Sequence, residues 1–328
     1  MAQTDSNYNY EKSKNSFINE IRGRLLEFSC GMELCAAADI IDLFYTNISD
    51  LQISELQQYQ DFLRSHDLLS YEYIQKAGKY FANYYIENIN ENISNVLLTG
   101  KMQSTDNFHE ADIAVSMSNN MRDLISLKLI KEDSFINSKS AGIKSIFLKY
   151  FNRSQMQNDL NQKVDFEFDQ FRLRFFEHFD RSVNDLSFSQ LCDVEKISSR
   201  PGQLPNDLKI ILFMFYKACI DEIYRGFKII YEEQKDNFLE FLYPLIGFGD
   251  EAIKVMAFVH NRDFSNMNMS YHKISDVQSR MIKIHEVSGN SSFLIELDKL
   301  YLQIRVKPMN SFLAPSMKIN CSIKFKSK

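Results

Sequence analysis

The chain has 328 residues, 45% of them apolar and 25% charged, with a formal charge of −5; these are ordinary globular proportions, with ample surface to bury a core. Its longest unbroken apolar run is the seven residues 210–216, against about 20 for a bilayer span, and the polar N-terminus lacks a secretory pattern, so a cytoplasmic protein without membrane segments is expected. No period recurs, which excludes collagen, coiled-coil and repeat architectures, and the five scattered cysteines lack zinc spacing and read as buried free thiols.

Residues 1–12 are polar and read as a disordered tail. From Ser16 to about Tyr45, Phe17, Ile21, Leu25 and Phe28, then Leu34, Ala38, Ile41 and Leu43, recur at helical spacing. Helices are predicted at about 54–64 and 70–92, the second with Ile74, Ala77, Phe81, Tyr84 and Tyr85 on one side. Three short strands follow, at 95–100, 111–117 and 123–129, the last two joined by the turn Ser118-Asn-Asn-Met. A loop over 131–140 then leads into a helix ending at Phe151. Residues 157–182 are helical and rich in phenylalanine, read as a core stripe, and Asp207 is placed to cap a long helix to about Glu233. From about Ala252 the pattern turns to short alternating runs, predicting an antiparallel β segment. The expected class is therefore α+β, with a core at 13–154, a helical region at 155–250 and a β-rich region at 251–328.

The second and third strands carry the most informative residues. Asp112 reads as part of one, and Ser126 and Lys128, at i and i+2, share a face of the other. A hairpin can bring the aspartate to that same face. Phosphodiester hydrolysis uses such a set, with a carboxylate to hold Mg²⁺ and a lysine to neutralise developing charge. Near the N-terminus, Gly23 stands one helical turn before Glu27 in Arg22-Gly-Arg-Leu-Leu-Glu-Phe; the missing side chain lets a backbone or ligand approach. His109, the helix-face pair Glu87 and Glu91, and the phosphate-contact candidates Lys139 and Lys144 are weaker signals.

Three pieces together, Gly23-Arg24-x-x-Glu27-Phe28, Asp112-Ile113 with Ser126-x-Lys128, and Arg305 ahead of Pro315-Ser316-x-Lys318, resemble the HaeIII-like type II restriction endonucleases of the PD-(D/E)xK superfamily. The resemblance implies a restriction-endonuclease-like mixed sheet with flanking helices, a large helical insertion and a C-terminal antiparallel β segment. It implies Mg²⁺-dependent cleavage of double-stranded DNA at a short palindrome, leaving 5′-phosphate ends, by a monomer or homodimer with a cognate DNA methyltransferase as its genetic partner. Carried over, Asp112 is the principal metal ligand, Lys128 the catalytic lysine and Glu27 a supporting acid that also reaches the metal. Ser126 stands where most of the superfamily has an acid, so Glu110 and Glu87 remain alternatives to Glu27, and a relative that binds DNA without cutting remains a second reading.

Charge distribution points to a contact surface. Residues 270–328 hold ten Lys or Arg against four acids, so this segment carries +6 and the remainder −11. Arg305 and Lys307 alternate on one predicted strand, and Lys324 and Lys326 on the last. With Lys318 in or beside the turn between them, they form an expected DNA-binding face.

Overall fold

The computed structural model describes residues 2–89, 91–99, 111–132, 134–247, 253–261, 264–273, 279, 281–308 and 311–326. By contacts the chain divides into two units that alternate along the sequence: Met1–Ser134 with Gly249–Asp276, and Phe135–Phe248 with Val277–Lys328. This differs from the divisions at 154 and 250 expected above. The class is α+β with two five-stranded sheets, one in each unit.

In the first unit, α1 (Ala2–Ala37), α2 (Ile41–Thr46), α3 (Asp50–His66) and α4 (Leu68–Glu87) precede β1 (Ile93–Leu98), β2 (Ile113–Met117) and β3 (Arg122–Lys131). The first helix takes in residues 2–12, which composition alone assigns to a tail. The single helical stretch expected to Tyr45 breaks at Asp39, whose φ of 58° ends α1 in a left-handed turn. The chain later returns with β5 (Ile253–His260) and β6 (Met267–His272), and the sheet order is β1-β2-β3-β5-β6. Every neighbouring pair is antiparallel except β3 and β5, which run parallel with Lys128 opposite Ala257. Parallel neighbours need a crossover connection, and here residues 132–252 supply it.

One face of this sheet packs on α1 and α4. Ile113, Val115, Ile125, Leu127, Met256 and Phe258 are buried in one core with Ile21, Leu25 and Phe28 of α1 and Ile74, Ala77 and Phe81 of α4. Two polar contacts anchor the middle of α1. Arg22 donates to Asp67, the N-cap of α4, and its guanidinium lies 5.2 Å from the centre of the Phe264 ring. Phe264 itself has a left-handed φ of 56° and stacks on His260 at 4.1 Å.

The second unit contains β4 (Ile136–Gly142), α5 (Ile146–Phe151), α6 (Ser154–Glu177), α7 (Phe188–Val194), α8 (Asn206–Glu233), α9 (Phe238–Ile246), β7 (Lys283–Ile284), β8 (Ser292–Glu296), β9 (Leu300–Pro308) and β10 (Met317–Phe325). Its sheet order is β4-β10-β9-β8-β7, antiparallel throughout. The 131–140 stretch, expected as a loop, thus contains most of an edge strand. Its sequence Ile-Asn-Ser-Lys-Ser-Ala-Gly buries only Ile136 and Ala141, so no apolar alternation marks it. The expected C-terminal β region is likewise divided: β5 and β6 complete the first sheet, and only β7–β10 belong to the second. The phenylalanine stripe is core as expected, with Phe168, Phe171 and Phe175 packed among Phe188, Phe215 and Phe312. Phe166 is exposed. All five cysteines are buried and unpaired.

Helices α1 and α4 meet where Gly78 faces Ser29. A Cβ added at Gly78 would lie 2.3 Å from the Ser29 hydroxyl and 2.8 Å from its backbone oxygen. Helix propensity alone favours alanine there by about 1 kcal/mol, whereas overpacking costs about 1–3 kcal/mol. Gly78→Ala is expected to be net destabilising in urea denaturation; a gain in stability would show that the crossing can widen freely.

Candidate active site

Asp112 stands immediately before β2 and not within it, as the sequence had suggested. Its backbone is nevertheless held from both sides: its N–H donates to the Ile125 carbonyl at 2.8 Å, and its carbonyl accepts from Thr99 N–H at 3.1 Å. Extending the Ile113–Ile125 register by one step sets Asp112 opposite Ser126. The side chains meet there. Asp112 Oδ2 accepts from Ser126 Oγ at 3.1 Å, from Leu127 N–H at 2.7 Å and from Lys128 Nζ at 3.1 Å. Ser126 is buried, while Asp112 and Lys128 keep 19% and 32% of their side-chain surface exposed, enough for a ligand to reach both.

Glu27 belongs to the same constellation through α1. Burial first and the Asp112 charge second push its carboxyl up from the ordinary 4.5 to about 7, against the opposing pull of Lys128 and Arg24. The glutamate therefore senses both the aspartate and the lysine of the hairpin. One turn earlier, a Cβ at Gly23 would meet nothing within 4 Å, so the space beside Glu27 is open to an approaching group. Carboxylates beside a partly open space are hard-oxygen donors of the kind Mg²⁺ takes. Among the described residues, however, no group of three or more His, Cys, Asp or Glu side chains is placed to hold a metal. Glu87 is exposed at the end of α4, and Glu110 and His109 lie outside the described residues.

No protein-family profile matches the chain, and comparison with curated proteins finds no significant match. Geometry and chemistry must carry the functional reading. Among the described residues no helix is long and apolar enough to cross a membrane.

The basic residues lie in the second unit. β9 and β10 are neighbours, with Lys307 directly opposite Lys318 and Arg305 opposite Asn320. All three cations are exposed, on the face opposite the buried Leu302, Ile304, Val306, Ile319, Cys321 and Ile323. Lys318 is thus inside β10 and not in the turn, because the strand begins at Met317. Lys324 shares the face, opposite Tyr301. Lys326 departs from expectation: it lies just beyond β10, bonds Glu296 at 2.8 Å and sits over the Tyr301 ring. Glu296 also contacts His285 at 2.8 Å, so this end of the face is already charge-compensated. Lys139 and Lys144 also fall in the second unit, and Lys144 pairs with Asp165.

Sequence reasoning could not find the Leu127 N–H, since a main-chain donor has no residue signature. Nor did it assign Arg24 a role; a cation at i−3 on α1 was the available signal.

Glu27 yields a pH prediction. Its folded value, about 7, exceeds its ordinary 4.5, so the folded state binds more protons between those values and stability falls as pH rises through that window. Glu27→Gln is expected to flatten this dependence and to stabilise the protein at pH 8 by roughly 1–3 kcal/mol. Urea denaturation at pH 5 and pH 8 reads the difference. Equal slopes for the two proteins would place Glu27 in water.

Proposed function

We propose that this chain is a Mg²⁺-dependent endonuclease that hydrolyses double-stranded DNA at a specific short site. The observation that carries the reading is the convergence of Asp112, Ser126 and Lys128 on one hairpin, with Glu27 drawn to it from α1. The mixed sheet with α1 and α4 against one face supports the restriction-endonuclease-like fold that the motif resemblance implies. Asp112 and Glu27 would hold the ion, which when bound supplies Lewis acidity to a phosphoryl oxygen and a more acidic water. Lys128, 3.1 Å from Asp112 Oδ2, keeps its ammonium beside the carboxylate that would hold the ion, where it offsets the negative charge that grows on the phosphoryl group during attack. Arg305, Lys307 and Lys318 form the DNA-contacting face. Lys307 and Lys318 directly opposite each other repel, and a polyanion relieves that repulsion. A palindromic site suits two subunits by symmetry, and a site-specific nuclease requires its host to be protected, which a cognate DNA methyltransferase would do.

Incubation with unmethylated DNA and Mg²⁺ is expected to give discrete fragments with 5′-phosphate ends. Asp112→Asn should abolish cutting while DNA binding persists, because it removes charge at the ion without changing shape. Lys128→Ala should lose at least about 10² in rate. Cleavage by Asp112→Asn at the wild-type rate refutes the assignment, and a gel shift by the wild type without cutting supports the reading of a DNA-binding protein derived from a nuclease.

The basic face gives a separate expectation, measured with a fluorescent duplex in Asp112→Asn protein. Lys307→Ala and Lys318→Ala should each lower the salt slope by roughly one unit on any sequence. Arg305→Ala should cost about 1–3 kcal/mol more on the cognate site than on random DNA, as loss of a forked base contact would. Unchanged binding in all three at every salt concentration would move the DNA surface elsewhere.

A further inference from the structure

We propose that Ser126 is a positioning residue whose hydroxyl orients Asp112 so that Oδ1, and not Oδ2, is offered to a single divalent cation. This rests on the metal-dependent reading above and adds to it the coordinating atom, the number of ions and the reason a serine occupies this position.

Three consecutive residues of β3 converge on one oxygen. Ser126 gives its side-chain hydroxyl, Leu127 its main-chain N–H and Lys128 its ammonium, all to Asp112 Oδ2. A carboxylate oxygen has two lone pairs in its plane, so three donors use its acceptor capacity fully. Each donor also presents positive charge density where a cation would have to sit. Among the described residues Oδ1 accepts no hydrogen bond, and Asp112 is partly exposed. The two oxygens of one carboxylate are thereby divided: Oδ2 is tied to the strand and Oδ1 is available.

Ser126 contributes what an acid in its place could not. A glutamate or aspartate there would have no proton to donate at neutral pH and would set a second negative charge against Asp112. The serine, buried at 6% exposure, donates and keeps its oxygen out of competition for the ion. The remaining charges are the Asp112 and Glu27 carboxylates and the cations of Lys128 and Arg24. One divalent ion leaves this set at roughly +2 and two would leave it at roughly +4, a repulsion that grows as water is excluded. The charge inventory favours a single ion. Outer partners that orient a metal ligand are typically worth 10–100-fold in affinity.

The experiment titrates Mn²⁺, as the probe ion, into the full-length protein and follows the free-ion signal by electron paramagnetic resonance. Circular dichroism confirms that each variant is folded. Wild type is expected to take up one Mn²⁺ and Asp112→Asn to lose it. Ser126→Ala and Ser126→Cys should bind about 10–100-fold more weakly; the cysteine preserves volume and is a poor donor, so it reads the same property if alanine fails to fold. Ser126 variants within twofold of wild type would overturn the positioning role while leaving the metal site intact. Two ions per wild-type chain would overturn the single-cation assignment. A wild type that binds no Mn²⁺ would refute the metal-dependent reading itself, and this inference with it.

Discussion

The register of the β2–β3 hairpin governs the candidate site, because strand side chains alternate and a slip of one residue sends each to the other face. The face packed on α1 and α4 pins that register. Ile113, Val115, Ile125 and Leu127 are buried in the core with α1 and α4, and exposing four such side chains would cost about 1.5–3 kcal/mol each. That sum rivals the whole net stability of a typical domain, about 5–15 kcal/mol. The turn adds local definition: Asn120 adopts a left-handed φ of 65°, Met117 N–H reaches the Met121 carbonyl, and Met121 N–H reaches Asn119 Oδ1. Asp112, Ser126 and Lys128 are brought together by apolar residues that take no part in their chemistry.

Much of this was legible in the residues, for physical reasons that differ element by element. The hairpin was readable because period-2 alternation and a polar four-residue turn are local signals. The phenylalanine stripe of α6 was readable because helical spacing is local too. β4 was not, since an edge strand that buries only Ile136 and Ala141 carries no periodicity. The parallel pairing of β3 with β5 was beyond reach for another reason: its partners are more than a hundred residues apart, and short-range patterning is blind to such separation. At the site, Asp112, Ser126 and Lys128 were visible as a set, whereas the proximity of Glu27 depends on how α1 packs. Among the basic residues, charge alone could not separate Arg305, Lys307 and Lys318, which are exposed, from Lys326, which Glu296 has already engaged.

Helix α1 connects core and site energetically. The same helix that buries Ile21, Leu25 and Phe28 holds Glu27 in a place where burial and the Asp112 charge both disfavour its ionisation. Apolar contacts along α1 and the Arg22–Asp67 pair near its middle offset that penalty. A site held in this way carries an electrostatic cost in the free protein that a bound cation would relieve, which is one physical route by which function and stability oppose each other.

The alternation of the two units along the chain has a consequence for how such a protein can change over time. Its gene cannot exchange one unit for a relative's by a single recombination event, since each unit is encoded in two separated stretches. A breakpoint near residue 134 would deliver β1–β3 without β5, leaving an apolar strand edge bare, and bare edges recruit other chains. On the proposed reading of the β9–β10 face as the DNA contact, a new target preference would more readily arise by point substitution there than by module shuffling, so descendants should keep their length and connectivity even as what they recognise drifts.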